Sequence, residues 1–249
     1  MSVEAPAMSI LPVRAWRALS ARGPRYAWHK VLRRSLGRWP SWKRRLVYAD
    51  PRHYWTMRGG HDYFREQEGQ AARTDRIEWL ADRIAAYRPA SILEVGCGYG
   101  KLLRALRARL DCHLVGVDFS ATQLTQARSF LGGLARVDVA LASGTRLPFI
   151  DGAFDMVVTS AVILHNPPPQ AEQIRREILR VARRFAAHNE ETSVSYNRYG
   201  YDTAAWYRGE GLDLVECGPI PADLEPESSQ FCVARLPYDL PDELSTRLG

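Results

Sequence analysis

Residues 92–101 read ILEVGCGYGK, a segment dense in groups that can do chemistry. Gly96, Cys97 and Gly98 make a tight turn, and the missing Cβ atoms of the two glycines let a main chain come close to a ligand. Glu94 sets a carboxylate beside that turn, which repels a pyrophosphate and attracts a positively charged group. The Gly-x-Gly-x-Gly spacing also differs from the Gly-x-Gly-x-x-Gly of dinucleotide-binding loops. Further along, Asp118 closes the run Val115-Gly116-Val117-Asp118-Phe119-Ser120. An acid about twenty residues beyond a glycine-rich turn can accept both hydroxyls of a ribose. His165 is a candidate general base, because a neutral imidazole can take a proton near pH 7. Its competing role is structural, at the start of the helix that follows.

These residues need a frame that brings them to one edge. Ile77, Leu80, Ala81, Ile84 and Tyr87 mark an amphipathic helix closed by Pro89. Apolar runs at 91–95, 113–117, 136–142 and 154–159 read as strands, separated by helical stretches at 101–110 and 121–131. The pattern continues with a helix expected over 169–187, a fifth strand over 192–196, and two tail strands at 212–217 and 230–234. Strands separated by helices of this size call for a doubly wound α/β fold with a mostly parallel sheet. Parallel strands all end on one edge, so Gly96, Asp118 and the residues after the third and fourth strands share it.

Composition bounds the rest. The chain has 249 residues, 46% hydrophobic and 25% charged, enough for one sizeable core plus an appendage. No apolar run is long enough to span a bilayer, and the N-terminus lacks the compact apolar core of an export signal. Cys97, Cys112, Cys217 and Cys232 are far apart, without a zinc spacing or a disulfide framework, so a reducing, cytoplasmic setting and no metal are expected. The net charge of +6 is uneven. Residues 1–60 carry thirteen Lys/Arg against Glu4 and Asp50, a net +11, and five of the seven tryptophans. They form a basic, Trp-rich helical extension, residues 61–249 being the main domain. Trp28, Val31, Leu32, Leu36 and Trp39 recur on one helical face, with Arg25, Lys30, Arg33, Arg34 and Arg38 largely opposite. Three readings stay open: packing on the body, peripheral contact with the inner membrane surface, or nucleic-acid contact, the last less favoured.

Taken together, ILEVGCGYG, VGVDFS, Leu147-Pro148-Phe149-x-Asp151-Gly152-x-Phe154-Asp155 and Val162-Ile163-Leu164-His165 resemble class I S-adenosylmethionine-dependent methyltransferases, in the group acting on small molecules and glycans. The resemblance runs from Ala90 to Tyr196 in order and spacing. It implies a Rossmann-like seven-stranded sheet with an antiparallel C-terminal strand. It also implies S-adenosylmethionine as cofactor, with Glu94, Gly96, Cys97 and Gly98 around the methionine part, Asp118 on the ribose and Phe119 against the adenine. After the third strand this family often has an acid for the adenine amine. Ser143 stands there instead, so its hydroxyl or the backbone of Gly144 and Thr145 is the expected partner. Ser160, ending the fourth strand, completes the cofactor side.

The acceptor side is less marked. Tyr54 and Tyr63 lie in a segment (His53, Tyr54, Trp55, Arg58, His61, Tyr63, Glu66) that this family often uses as a lid, with Gly59-Gly60 as its flexible point. Asn197 and Tyr199 follow the expected fifth strand, and polar and aromatic groups there suit a hydroxylated acceptor. Asp155 begins its strand at the far edge and reads as structural. Asn166-Pro167-Pro168 resembles the amine-gripping turn of nucleic-acid methyltransferases but lies too far past the strand, and prolines before a helix explain it. The expected activity is methyl transfer to a small-molecule or glycan oxygen. RNA or protein methylation, or a cofactor-binding scaffold without turnover, are the alternatives.

Overall fold

The computed structural model describes residues 23–32, 40–69, 71–224 and 228–237. The chain divides into two compact units, Met1–Met57 and Arg58–Gly249.

The first unit contains helix α1, described over 23–32, α2 (Pro40–Val47) and all but the last residue of α3 (Pro51–Arg58). Its centre is Tyr54, whose ring meets those of His29 on α1, Tyr48 just after α2, and neighbouring Trp55 at 5.4, 4.8 and 5.2 Å. α1 therefore buries Tyr26 and His29 and leaves Trp28 and Val31 exposed. The Trp28/Val31 stripe is thus not the face that packs within this unit: the buried face is offset from it, because aromatic rings supply the contact. Leu36 and Trp39 lie outside the described residues.

The second unit opens with α4 (His61–Glu68) and α5 (Ala71–Ala85), then alternates. Strands β1 (Ser91–Val95), β2 (His113–Asp118), β3 (Val137–Leu141), β4 (Phe154–Ser160) and β5 (Ala182–Glu191) are parallel. They are interleaved with α6 (Lys101–Arg107), α7 (Ala121–Leu131) and α8 (Pro168–Val181). After α9 (Thr203–Gly209), strands β6 (Asp213–Pro219) and β7 (Ser229–Arg235) form a hairpin. β7 inserts antiparallel between β5 and β6, and the order is β3-β2-β1-β4-β5-β7-β6. The winding reverses between β1 and β4, the crevice where such sheets bind ligands.

Alternating strand residues feed two apolar layers. Ile92, Met156 and Val158 pack with Leu80 and Ile84 of α5, Leu102 and Leu106 of α6, and Leu124 of α7. Leu93, Val95 and Val157 pack with Ile174 and Ile178 of α8 and Tyr207 of α9. The 147–152 segment is held by α8. Arg180 donates to the carbonyls of Leu147 (3.1 Å) and Phe149 (2.8 Å), Glu177 accepts from the Leu147 N–H (2.6 Å), and Asp151 pairs with Arg180 (2.8 Å). Asp155, fully buried at the far edge, accepts from the Ala90 N–H and from Arg183 and Arg184 at 2.9 to 3.1 Å, the structural part expected of it.

Two expectations need correcting. The helix expected over 169–187 stops at Val181, and the fifth strand is Ala182–Glu191, not 192–196. Val181, Ala182 and Phe185 keep a helical spacing, and no glycine or proline marks the junction. Ala182 is at once the helix cap and the first strand residue. The cysteines are also closer than their sequence separation suggests: Cys217 and Cys232 are cross-strand partners with sulfurs 3.1 Å apart, both free thiols.

Candidate active site

β1 and β2 deliver two carboxylates to the crevice. Glu94 is buried, and its Oε2 has no hydrogen-bond partner. Burial first, then the charge of Asp118, pushes its pKa up to about 8, against the pull of the Leu103 N–H. Asp118 is also buried, which raises its pKa although its oxygens accept from Gly98 N (3.0 Å) and Ser120 N (2.8 Å). Each of those oxygens retains a further lone pair for a ligand hydroxyl. Glu94 thus stays largely protonated near pH 7 beside Asp118, and a cationic guest favours its ionised form.

The turn between them is built from left-handed glycines. Gly96 has φ +73°, and its N–H and that of Cys97 both donate to the Val117 carbonyl, at 2.7 and 3.0 Å. A Cβ on Gly96 would lie 2.5 Å from Val162 Cγ2, so this close approach requires glycine. Gly98 has φ +56° and presents its N–H to Asp118. The Cys97 side chain turns the other way, against Gly116 of β2, where burial raises the pKa of its thiol well above the usual range. Cys97 can therefore offer a ligand its backbone, not its sulfur.

Phe119 is half-buried at the end of β2. Past β3, Ser143 folds its hydroxyl into its own turn, 2.8 Å from Thr145 Oγ1 and 3.4 Å from Thr145 N. Gly144 lies within 3.0 Å of Val95 Cγ1 by its would-be Cβ, which brings this turn against the end of β1. α4 packs over the glycine turn: the rings of Tyr63 and Phe64 meet Tyr99 edge-on at 6.4 and 5.0 Å. Gly60 N donates to Gln123 Oε1 (3.0 Å), so the expected flexible point is fastened to α7. Arg58 grips Glu66 through two bonds of 2.8 and 2.7 Å and lies 4.9 Å over the Tyr63 ring. Tyr54, expected on the acceptor side, is 2% exposed at the centre of the N-terminal unit and has no surface for a ligand. The side chain of His61 lies outside the described residues.

The ends of β4 and β5 make the other half. Thr159, His188 and Glu190 are buried polar groups on neighbouring strands. Glu190 Oε1 accepts from Thr159 Oγ1 (2.8 Å) and from the N–H groups of Val162 and Ile163 (3.1 Å each); Oε2 accepts from Leu164 N (3.1 Å). Burial raises its pKa and these four donors oppose the rise. Because Thr159 donates to Glu190, its oxygen accepts from His188 Nδ1 (2.7 Å), which leaves His188 Nε2 to accept from the Tyr207 hydroxyl. Burial pushes the His188 pKa down to about 3, so this chain of bonds is neutral at the imidazole.

Glu190 thereby fixes the turn 162–165 that follows β4. Ala161, just before it, is held at φ +55°, a left-handed conformation costing a non-glycine residue about 1 kcal/mol. His165 Nδ1 lies 2.6 Å from the Asn197 carbonyl, which can only accept, so Nδ1 carries the proton and Nε2 the lone pair. Burial lowers its pKa to about 4. The loop after β5 is zipped to this turn by Tyr199 N to the Leu164 carbonyl (2.7 Å) and Tyr201 Oη to the Asn166 carbonyl (2.8 Å). Asn197 and Tyr199 are half-buried there. Ser160 Oγ accepts from Asn189 Nδ2 (3.1 Å).

Sequence reasoning missed Glu190, His188, Asn189 and Tyr207. All but Tyr207 fall in the gap between the stretch read as helix, 169–187, and that read as the fifth strand, 192–196. The available signal was the polar run His188-Asn189-Glu190-Glu191 following three apolar residues, a pattern that suits a buried strand end better than a solvated helix.

Residues 92–184 match a family profile described as a methyltransferase domain. A rice (Oryza sativa) 24-methylenesterol C-methyltransferase is 28% identical over 142 residues, 56% of this chain and 36% of the relative. An O-methyltransferase of Aspergillus nomiae is 28% identical over 104 residues, 41% of this chain and 46% of the relative. The match thus spans less than half the length of these curated relatives. Among solved structures, a Pyrococcus horikoshii protein superposes with a TM-score of 0.60 at 19% identity, covering 71% of this chain and 99% of its own, a likeness of fold.

Proposed function

We propose that this chain, a class I S-adenosylmethionine-dependent methyltransferase by strand order and matched domain, transfers a methyl group to the oxygen of a small-molecule or glycan acceptor. The observation that carries the reading is Glu94, a buried carboxylate with an unpartnered oxygen beside Asp118. A ligand with an ammonium and a sulfonium fits that pair, and a dinucleotide pyrophosphate does not. S-adenosylmethionine supplies a methyl carbon already activated by positive sulfur. Glu94 and the backbone of Gly96, Cys97 and Gly98 hold its methionine part. Asp118 takes the ribose hydroxyls, Phe119 covers the adenine, and the Ser143–Gly144–Thr145 turn with Ser160 completes the wall.

With the carbon so activated, most of the remaining work is positioning. His165 is neutral throughout the physiological range, and its Nε2 lone pair suits an acceptor hydroxyl. Nε2 accepts the hydroxyl hydrogen bond and, as the C–O bond forms and the methyl–sulfur bond breaks, takes the proton from the far more acidic protonated ether and passes it to water, so it need not be the near-neutral base expected from the sequence. Tyr63, Asn197 and Tyr199 supply polar and aromatic surface suited to a hydroxylated acceptor. We place the protein in the cytoplasm; among the described residues no helix is long and apolar enough to cross a membrane.

Calorimetry tests the cofactor: S-adenosylmethionine and S-adenosylhomocysteine are expected to bind and NADH to fail, and the reverse overturns the assignment. Labelled methyl transfer into separated small-molecule, glycan, RNA and protein fractions tests the acceptor. Label confined to RNA or protein overturns the small-molecule reading. Binding without transfer into any fraction makes the chain a scaffold.

A further inference from the structure

The N-terminal unit carries a feature that methyl transfer does not use. α1 exposes Arg25, Trp28 and Val31 at intervals of three residues, and α2 exposes Trp42, Arg45 and Leu46 at intervals of three and one. Trp28 is 64% exposed, Val31 47%, Trp42 58% and Leu46 56%. Both stripes lie away from the packed side, because His29 of α1, and Val47 and Tyr48 at and just after the end of α2, are buried, with His29 and Tyr48 against Tyr54. Each stripe therefore combines a tryptophan, an aliphatic side chain and an arginine. Residues 1–57 contain twelve Lys/Arg against two acids, a net +10.

We infer that α1 and α2 form a docking surface for an anionic phospholipid bilayer. Tryptophan prefers the headgroup boundary, where its ring is apolar and its N–H is wet. Val31 and Leu46 would enter the acyl edge, while Arg25 and Arg45 lie at phosphate level. The aliphatic residues decide against RNA. Base stacking uses aromatic rings and phosphate binding uses cations, and neither covers an exposed Val or Leu. Arg25, Lys30, Arg44 and Arg45 are interspersed with the apolar residues of both helices, so neither stripe belongs to an apolar span and both suit the plane of the surface. This inference is independent of the methyl-transfer reading and goes beyond it, giving the enzyme access to acceptors held at a membrane.

The test is sedimentation of the full chain with phosphatidylcholine vesicles, with and without phosphatidylglycerol. Binding is expected to the anionic vesicles and to be weak on the neutral ones. The double variant W28A/W42A should bind anionic vesicles at least about tenfold more weakly, since two rings leave the boundary. Trp28 and Trp42 face solvent, so their removal should leave S-adenosylhomocysteine calorimetry unchanged. Failure to sediment with anionic vesicles overturns the inference, as does equal binding by the double variant. Binding of an RNA oligonucleotide that collapses with salt, alongside indifference to vesicles, overturns it in favour of a nucleic-acid surface. Loss of nucleoside binding with vesicle binding intact refutes the methyl-transfer reading and leaves this surface standing.

Discussion

Glu94 at the end of β1 keeps one carboxylate oxygen without a partner, whereas Glu190 near the end of β5 has four donors on its two oxygens. Both are buried in the same sheet, and burial raises the pKa of both. The difference separates two ways of making a site. Around Glu94 and Asp118 the protein leaves charge uncompensated and offers main chain, an arrangement that a cationic ligand completes. Around Glu190 it gives both carboxylate oxygens internal donors and uses the carboxylate to hold a turn in shape. The halves meet where Val162, on the turn fixed by Glu190, leaves no room for a Cβ on Gly96.

The sharpest way to break this contrast is to exchange the consequences of losing each acid. E190A orphans three backbone N–H groups and the Thr159 hydroxyl in the interior, and should cost about 4 kcal/mol of stability. A large fall in Tm is expected, and transfer activity should disappear with the turn that carries His165. E94Q should do the opposite to stability. The sign follows from the raised pKa: the unfolded carboxyl titrates near 4.5 and the folded one at about 8. The wild-type fold therefore loses stability progressively as pH rises through that window, and E94Q is spared the loss. At pH 8 the ligand-free variant should melt above the wild type. If E94Q melts lower, the uncompensated-charge account of this half is wrong.

Cofactor affinity sharpens the same contrast at smaller magnitude. E94Q should weaken S-adenosylhomocysteine binding about 10- to 100-fold, the worth of a charge-assisted bond to the ammonium. In the wild type the ligand cation favours ionised Glu94, so binding releases a proton. Affinity should rise between pH 6.5 and 8 and level off above that, and calorimetry in buffers of different ionisation enthalpy reads the proton directly. A flat affinity profile would place the ammonium elsewhere. On the acceptor half, H165A should lower kcat about tenfold if the imidazole mainly orients the hydroxyl. The pH–rate profile should show no step near 6.5, because the imidazole titrates at about 4. A step that H165A removes would restore His165 as a near-neutral base.

The contrast also explains what was legible in the sequence. The cofactor half is local: Glu94, the glycine turn and the capping run Asp118-Phe119-Ser120 sit within or just after short apolar runs, and spacing alone locates them. The sheet was legible for the same reason, up to β4. From α8 onward the signals fail, because Ala182 joins helix to strand without a turn residue and Phe185 keeps the helical period. The acceptor half depends on partners distant in sequence. Glu190 is defined by donors at 159 and 162–164, and His188 by Thr159 and by Tyr207 on another helix. Tyr54 failed differently: an aromatic residue in a pre-sheet segment reads alike whether it covers a ligand or fills a core, and here the rings of His29, Tyr48 and Trp55 close around it.

The smallest expected effect probes the edge of the cofactor half. On the proposed reading Ser143 stands where an acid would grip the adenine amine, and its hydroxyl is already engaged by Thr145 at 2.8 Å. On that reading this wall would offer the adenine a neutral acceptor or main chain. S143D adds a charge there, and a charge-assisted bond exceeds a neutral one by about 1 kcal/mol, so S-adenosylhomocysteine should bind about fivefold tighter. Inosine in place of adenosine in the ligand removes the amine, and the gain should vanish with it. A gain that persists with inosine would show that the added charge acts at long range on the sulfonium or ammonium. The uncompensated electrostatics of Glu94 and Asp118 would then extend across the whole nucleoside wall instead of ending short of the adenine.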